Sequence, residues 1–358
     1  MADARIGLVL TVVFGASAGC QPMFQGTPIG RAHDDNGWML IDPWLNVVPL
    51  GSDPGGTLLP SVRSIVREDF LDEAPWWARV SPRGRYVLIV RYVPGGGFMS
   101  RTDSFRVVDV CQRTVQKVAA PDALGIYRYE MAWSPDEKSL VCFSSWHRDP
   151  NELFWRTGHF YLLRRDGEDG PWSWQKLAGI PKVWGESHSS VLTAGSWESP
   201  TTFLFATGVP DVQKDLSRPA PHHVYRYDVT TSQVMRLREG LSPVSLGRDR
   251  FLYRQYPHWM TWMRLATETT SWGSSKCDEL INCSTGIPAV SPDRRFVIFR
   301  YSKLTSFLGH AAIDESASGY DARDDAYCRS IGSYQAMDRI RHSVWIAAPR
   351  ELRKAVQR

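Results

Sequence analysis

The sequence predicts an all-β fold, a β-propeller of four-stranded antiparallel blades, six in number with five or seven as alternatives. Three observations carry this prediction. One phrase, an apolar strand broken by a Ser-Pro turn and resumed by β-formers, stands as Val80-Ser81-Pro82-Arg83-Gly84-Arg85-Tyr86, Trp133-Ser134-Pro135-Asp136-Glu137 and Val290-Ser291-Pro292-Asp293-Arg294. Ser suits the first turn position, Pro presets φ at the second and Asp or Arg tolerates the third, so the flanking strands are antiparallel neighbours. The phrase is also periodic: Ser81 and Ser134 lie 53 residues apart, and Ser134 and Ser291 lie 157 apart, close to three such steps. Worn copies fit between them at Glu198-Ser199-Pro200-Thr201-Thr202-Phe203 and at Gly247-Arg248-Asp249-Arg250-Phe251. Finally, each copy is followed after a spacer by a second hairpin, at residues 105–118, 160–177, 224–237, 260–272 and 344–356. Paired hairpins at a period near 50 form a four-stranded unit repeated radially. A β-sandwich with coincidental turns competes, but sandwiches seldom keep a regular four-strand period.

At the chain start, Arg5 is followed by the apolar run 6–14 and by Gly15-Ala16-Ser17-Ala18-Gly19 ahead of Cys20. That run is shorter than the roughly 20 apolar residues a membrane-spanning helix needs, and small residues of cleavage type follow it. Residues 1–19 therefore read as a secretory signal, with a cytosolic protein of apolar start as the alternative. Gly15 to Gly19 also matches the G-x-S-x-G nucleophile pattern, but without the strand-turn-helix context that chemistry needs. Residues 20–36, rich in Pro, Gly and charge, suit a tether, and 37–358 form a single propeller domain. Within that domain, the apolar runs at 38–50 and 57–66 are expected to form a partial blade. It would complete the ring by pairing with strands of the last blade, which removes exposed edges.

The spacers, at residues 93–103, 146–158, 208–221, 256–259 and 303–341, lie on the face opposite the Ser-Pro turns. Four of the five are enlarged, and variable loops on a rigid scaffold are where binding usually lives. Trp146, His147, Arg148, Trp155, Arg156, Tyr256, His258 and Trp259 there bring aromatic faces beside cationic and hydrogen-bonding groups. Such groups suit a sugar or a peptide; the competing reading makes the Trp residues wedges between blades and the His residues ordinary loop groups.

Catalytic and metal chemistry are thinly represented. Asp166-Gly167-Glu168-Asp169-Gly170 is turn chemistry without the Glu that a calcium loop requires. Asp314, Glu315, Asp321, Asp324 and Asp325 read as solvated charge rather than as paired carboxylates for glycosidic cleavage. His222-His223 begins a strand with no third metal ligand nearby and reads as a solvent-facing pair. No cofactor and no metal are expected. Beyond Cys20 there are five cysteines, Cys111, Cys142, Cys277, Cys283 and Cys328, none at zinc spacing. Cys277 and Cys283 suit a local disulfide; the alternative, buried free thiols on strands, fits Cys142 well. A net charge of +4, from 42 Lys and Arg against 38 Asp and Glu without a basic run, is too mild to argue for nucleic acid.

The Ser-Pro-Asp phrase followed by an apolar strand resembles the TolB-type (WD-repeat-like, PD40) propeller repeat of bacterial envelope proteins, over roughly residues 76–350. Glu137 and Arg294 replace the Gly that usually follows Ser-Pro-Asp. The ending Ser17-Ala18-Gly19-Cys20 resembles the bacterial lipobox, which implies lipidation of Cys20, with plain secretion as the alternative. Gln21 in place of Asp implies, by the same resemblance, an outer-membrane anchor on the periplasmic side. Together these resemblances imply a non-catalytic envelope lipoprotein whose propeller binds a protein or a cell-wall or glycan component through its loop-rich face. The alternative is a propeller glycan hydrolase or lyase with its site at the central channel.

Overall fold

The computed structural model describes residues 38–47, 56–66, 69–72, 76–93, 101–119, 121, 126–148, 155–167, 170–180, 183–186, 191–208, 222–247, 250–255, 262–267, 271–272, 289–290, 296–302, 306–312, 327–330 and 344–347. The predicted signal, Cys20 and the tether lie outside them. β1 (Trp38–Ile41) is followed by helices α1 (Leu59–Val66) and α2 (Asp69–Asp72). A first sheet then runs through β2 (Trp76–Val80), β3 (Tyr86–Val93), β4 (Arg101–Asp109) and β5 (Thr114–Val118) in meander order. The second contains β6 (Ile126–Trp133), β7 (Ser139–Arg148), β8 (Trp155–Arg165), β9 (Trp172–Lys176) and β10 (Val183–Glu186). The third is β11 (Thr202–Gly208), β12 (His222–Asp228) and β13 (Gln233–Glu239). The fourth is β14 (Leu241–Gly247), β15 (Arg250–Gln255), β16 (Trp262–Thr267) and β17 (Ser271–Trp272). The fifth is β18 (Ala289–Val290), β19 (Phe296–Ser302), β20 (Ser306–Ala312) and β21 (Tyr327–Ser330). Finally, β22 (Val344–Ala347) pairs with β1, so the two ends of the chain share a sheet as expected.

Where side chains are described, neighbouring sheets face one another, and the alternation of side chains along each strand makes the seam between them a core. Along β3, Tyr86, Leu88 and Val90 pack with Trp133, Leu140 and Cys142 of the second sheet. The intervening Val87 and Ile89 pack the other way, against Met39, Ile41 and Ile346 of the β1/β22 pair. Val141 and Phe143 of β7 in turn meet Trp197, Phe203 and Tyr227 at the third sheet, and Leu204 and Val224 meet Phe251 and Tyr253 of the fourth. A sandwich has one such core between two layers; consecutive cores between successive sheets, with β22 lying against both β18 and β2, are the packing of a propeller.

The Ser-Pro turns at Ser81 and Ser134 form as predicted, while the one at Ser291 lies outside the described residues. Ser81 N donates to Tyr86 O and Gly84 N to Ser81 O, and Ser134 and Glu137 repeat the pattern with Ser139 and Ser134. The fourth residue of each turn has positive φ, 75° at Gly84 and 62° at Glu137. Asp42-Pro43-Trp44-Leu45 has the same local geometry, with Leu45 N donating to Asp42 O and φ 67° at Leu45. The second hairpins also share a device. Asp109 Oδ1 accepts from Cys111 N and Gln112 N, as Asp228 Oδ1 accepts from Thr230 N and Thr231 N.

Four expectations are corrected. Residues 59–66 are helical rather than a strand: Leu58, Val62 and Val66 recur every four residues on one buried face, Pro60 suits the first turn, and Thr57 Oγ1 caps Leu59 N at 3.1 Å. The second hairpin of the fifth unit is β20/β21, inside the supposed spacer 303–341, while 344–347 belongs to the closing pair. Much of the spacer 146–158 is likewise strand, because β7 and β8 run on past the blade and β10 adds to their extension. His222 and His223 are buried, not solvent-facing, and His223 Nε2 meets Arg236 Nη2.

Candidate functional site

The tight-turn face carries a cleft of about 370 Å³ between the first two sheets. The β2–β3 and β4–β5 turns supply Arg83, Arg85, Tyr86 and Gln112; the β6–β7 and β8–β9 turns supply Asp136, Glu137, Lys138, Arg165 and Trp172. Two turns of one sheet thus oppose two of the next, because a meander returns its first and second hairpins to the same edge.

The floor is aromatic and fixed. Tyr86 stacks on Trp133 at 6.1 Å between ring centroids, and Trp172 meets both edge-on at 5.3 and 5.5 Å. Arg165 is clamped over this floor, Nη1 donating to Tyr86 Oη at 3.0 Å and Nε to Gly170 O at 3.1 Å. Arg85 lies over the Tyr86 ring at 4.9 Å and pairs through Nε and Nη2 with Asp109 Oδ2, both at 3.0 Å. Burial pushes the Tyr86 phenol above its ordinary range despite these two cations, so it stays protonated at neutral pH.

Among the described residues four cations line the cleft against two carboxylates, and the two signs differ in how they are held. Glu137 is buried, and its Oε1 accepts from Ser81 Oγ at 2.5 Å and from Arg83 N at 2.7 Å. Asp136 Oδ1 accepts from Ser134 Oγ at 2.6 Å and Lys138 N at 3.2 Å. Arg83 and Lys138 are exposed at the mouth, and among the described residues neither side chain is in an ion pair or hydrogen bond.

The residues predicted from sequence lie elsewhere. Trp146, His147 and Arg148 end β7, while Trp155 and Arg156 begin β8, with Arg148 opposite Arg156 and His147 opposite Thr157. The fold thus brings five of the eight onto one hairpin, and β10 pairs Glu186 with Trp155. Tyr256, His258 and Trp259 lie outside the described residues, as do Cys277 and Cys283. Cys142 is a buried free thiol on a strand, and Cys111 is exposed. The cleft residues Arg83, Arg85, Lys138 and Arg165 were missed. Their only sequence signal is a basic residue in or beside successive turns, which becomes a cluster only when neighbouring sheets meet. Among the described residues no group of three His, Cys, Asp or Glu is placed to hold a metal.

No family model matches the sequence, and no curated protein does. Solved structures do match in fold. TolB from Acinetobacter baumannii superposes with a TM-score of 0.51 at 13% identity, over 87% of this chain and 66% of that one, just under two thirds of its length. The putative TolB from Agrobacterium tumefaciens gives 0.42 at 12% identity, over 72% of this chain and 90% of that one. The β-propeller domain of the trilobed protease from Pyrococcus furiosus gives 0.43 at 14%, over 72% and 70%. At such identities the likeness to TolB is one of fold: the chain is a β-propeller of TolB-like architecture.

Proposed function

We propose that this β-propeller is a non-catalytic cell-envelope scaffold, lipid-anchored through Cys20 on the periplasmic side, that holds a protein or glycan partner. The observation that carries the binding reading is the cleft on the turn face, a rigid aromatic floor with two clamped guanidinium groups and, at its mouth, two cations unpaired among the described residues. Pre-set donors of this kind recognise a ligand without reordering themselves, which favours binding. The fold likeness to TolB, together with the lipobox resemblance at Cys20, supports the envelope location.

Affinity capture from detergent-solubilised envelopes tests the reading. The wild-type chain should retain a partner that the Arg83→Glu/Lys138→Glu variant loses. A partner set unchanged in that variant would sink the cleft as the binding surface, and no partner with either chain would sink the scaffold reading. Radiolabelled palmitate should enter the wild-type chain and not Cys20→Ser.

A further inference from the structure

We infer that the cleft takes a carboxylate-bearing ligand, specifically an acidic peptide segment of a partner protein; this rests on the binding reading above. The sign follows from how the charges are held. Asp136 and Glu137 each have an oxygen turned onto protein donors, and Glu137 is buried. Arg85 and Arg165 are fixed at the floor, whereas Arg83 and Lys138 have no ionic partner among the described residues. An anion entering the mouth meets two cations that no described residue compensates, and the Arg83 guanidinium matches the two-oxygen geometry of a carboxylate.

The rest of the lining selects the class. A cavity of about 370 Å³ is at the small end of ligand pockets, with room for a few side chains. A compact dianion such as phosphate would bring its whole charge within reach of Asp136 and Glu137 as well as of the cations. Two carboxylates on neighbouring acidic residues spread that charge, one toward Arg83 and one toward Lys138. Gln112 at the rim supplies an amide suited to peptide backbone.

The test titrates the full chain by calorimetry with three probes: acetyl-Asp-Glu-Asp-amide, its Asn-Gln-Asn counterpart and inorganic phosphate. The acidic peptide should bind and weaken steeply with salt, the neutral peptide should bind at least about tenfold more weakly, and phosphate should be weaker than the acidic peptide. Arg83→Gln/Lys138→Gln, at exposed turn positions, should keep the wild-type circular dichroism and lose at least about tenfold in affinity for the acidic peptide. Equal binding of the two peptides, an unchanged double variant, or tighter binding of phosphate would each overturn the assignment. Should envelope capture succeed while the acidic peptide fails, the ligand class is wrong and the scaffold reading stands.

Discussion

Ser81 Oγ donates to Glu137 Oε1 at 2.5 Å across the seam between the first two sheets, joining turns 56 residues apart in the chain. Glu137 occupies the position that Gly84 holds in the preceding turn, and it does so at φ 62°. A side chain in that region costs about 1–2 kcal/mol. Two hydrogen bonds to a carboxylate, from Ser81 Oγ and Arg83 N, offset it, at about 1.5–3 kcal/mol each. The departure from Gly in this turn is therefore a tie between sheets.

Replacing that carboxylate separates the two contributions. Glu137→Ala keeps the left-handed strain and loses the tie, and it should destabilise by about 3 kcal/mol; Glu137→Gly should cost about 1 kcal/mol less because the strain also goes. Urea midpoints measure both. If the Gly variant proves the less stable, left-handed strain is not what separates the two; if Ala keeps wild-type stability, the seam tie is not what Glu137 supplies.

Trp133 and Trp197 make the same contact one seam apart, Trp133 Nε1 donating to Arg79 O at 3.0 Å and Trp197 Nε1 to Ala132 O at 2.8 Å. Trp→Phe at either position retains most of the buried ring and should cost roughly 1 kcal/mol for the lost hydrogen bond, beyond the smaller ring area. As the two lie in different seams, their costs should add to within about 0.5 kcal/mol in the double variant. Strong coupling in denaturation experiments would contradict independent seams.

Gly158 sits where β7, β8 and β10 meet, paired with Ser145 on one side and Val183 on the other. A Cβ there would stand 2.0 Å from Ser144 O and 2.8 Å from the Phe143 ring, so Gly158→Ala must push two strands apart. A loss of about 1–3 kcal/mol and a lower thermal midpoint are expected. Near-wild-type stability would mean that the strands yield more easily than their packing implies.

Asp228 titrates below its usual value of 3.8, first because Thr230 Oγ1 donates to its carboxylate and then because Thr231 N does. The folded pKa is depressed, so the contribution to stability is complete above the unfolded value near 4 and drains as pH falls through the lower native one. Carboxyl NMR titration should show the depressed midpoint in wild type and a higher one in Thr230→Val. An unchanged midpoint would remove that hydroxyl as the cause.

The blade repeat was legible because it is local. A Ser-Pro turn sets its own φ and hydrogen bonds within six residues, as Ser81 to Tyr86 and Ser134 to Ser139 do. Where local pattern and long-range pairing disagree, pairing wins: 344–347 has the local pattern of half a hairpin but pairs with β1 near the other end of the described chain. The helix at 59–66 carries its own signal, an apolar period of four, but a short apolar run beside a partial blade has the local character of a strand as well.

What the amino-acid order determined by itself was the unit: turn chemistry, strand alternation and period all act over a few residues. Tertiary structure decided what lies between units. Arg83, Arg85, Lys138 and Arg165 share one cleft, and Glu137 reaches Ser81, because adjacent sheets put their turns at the same edge. Such neighbours are some 50 to 80 residues apart, and no pattern along the chain specifies them until the ring brings the seams together.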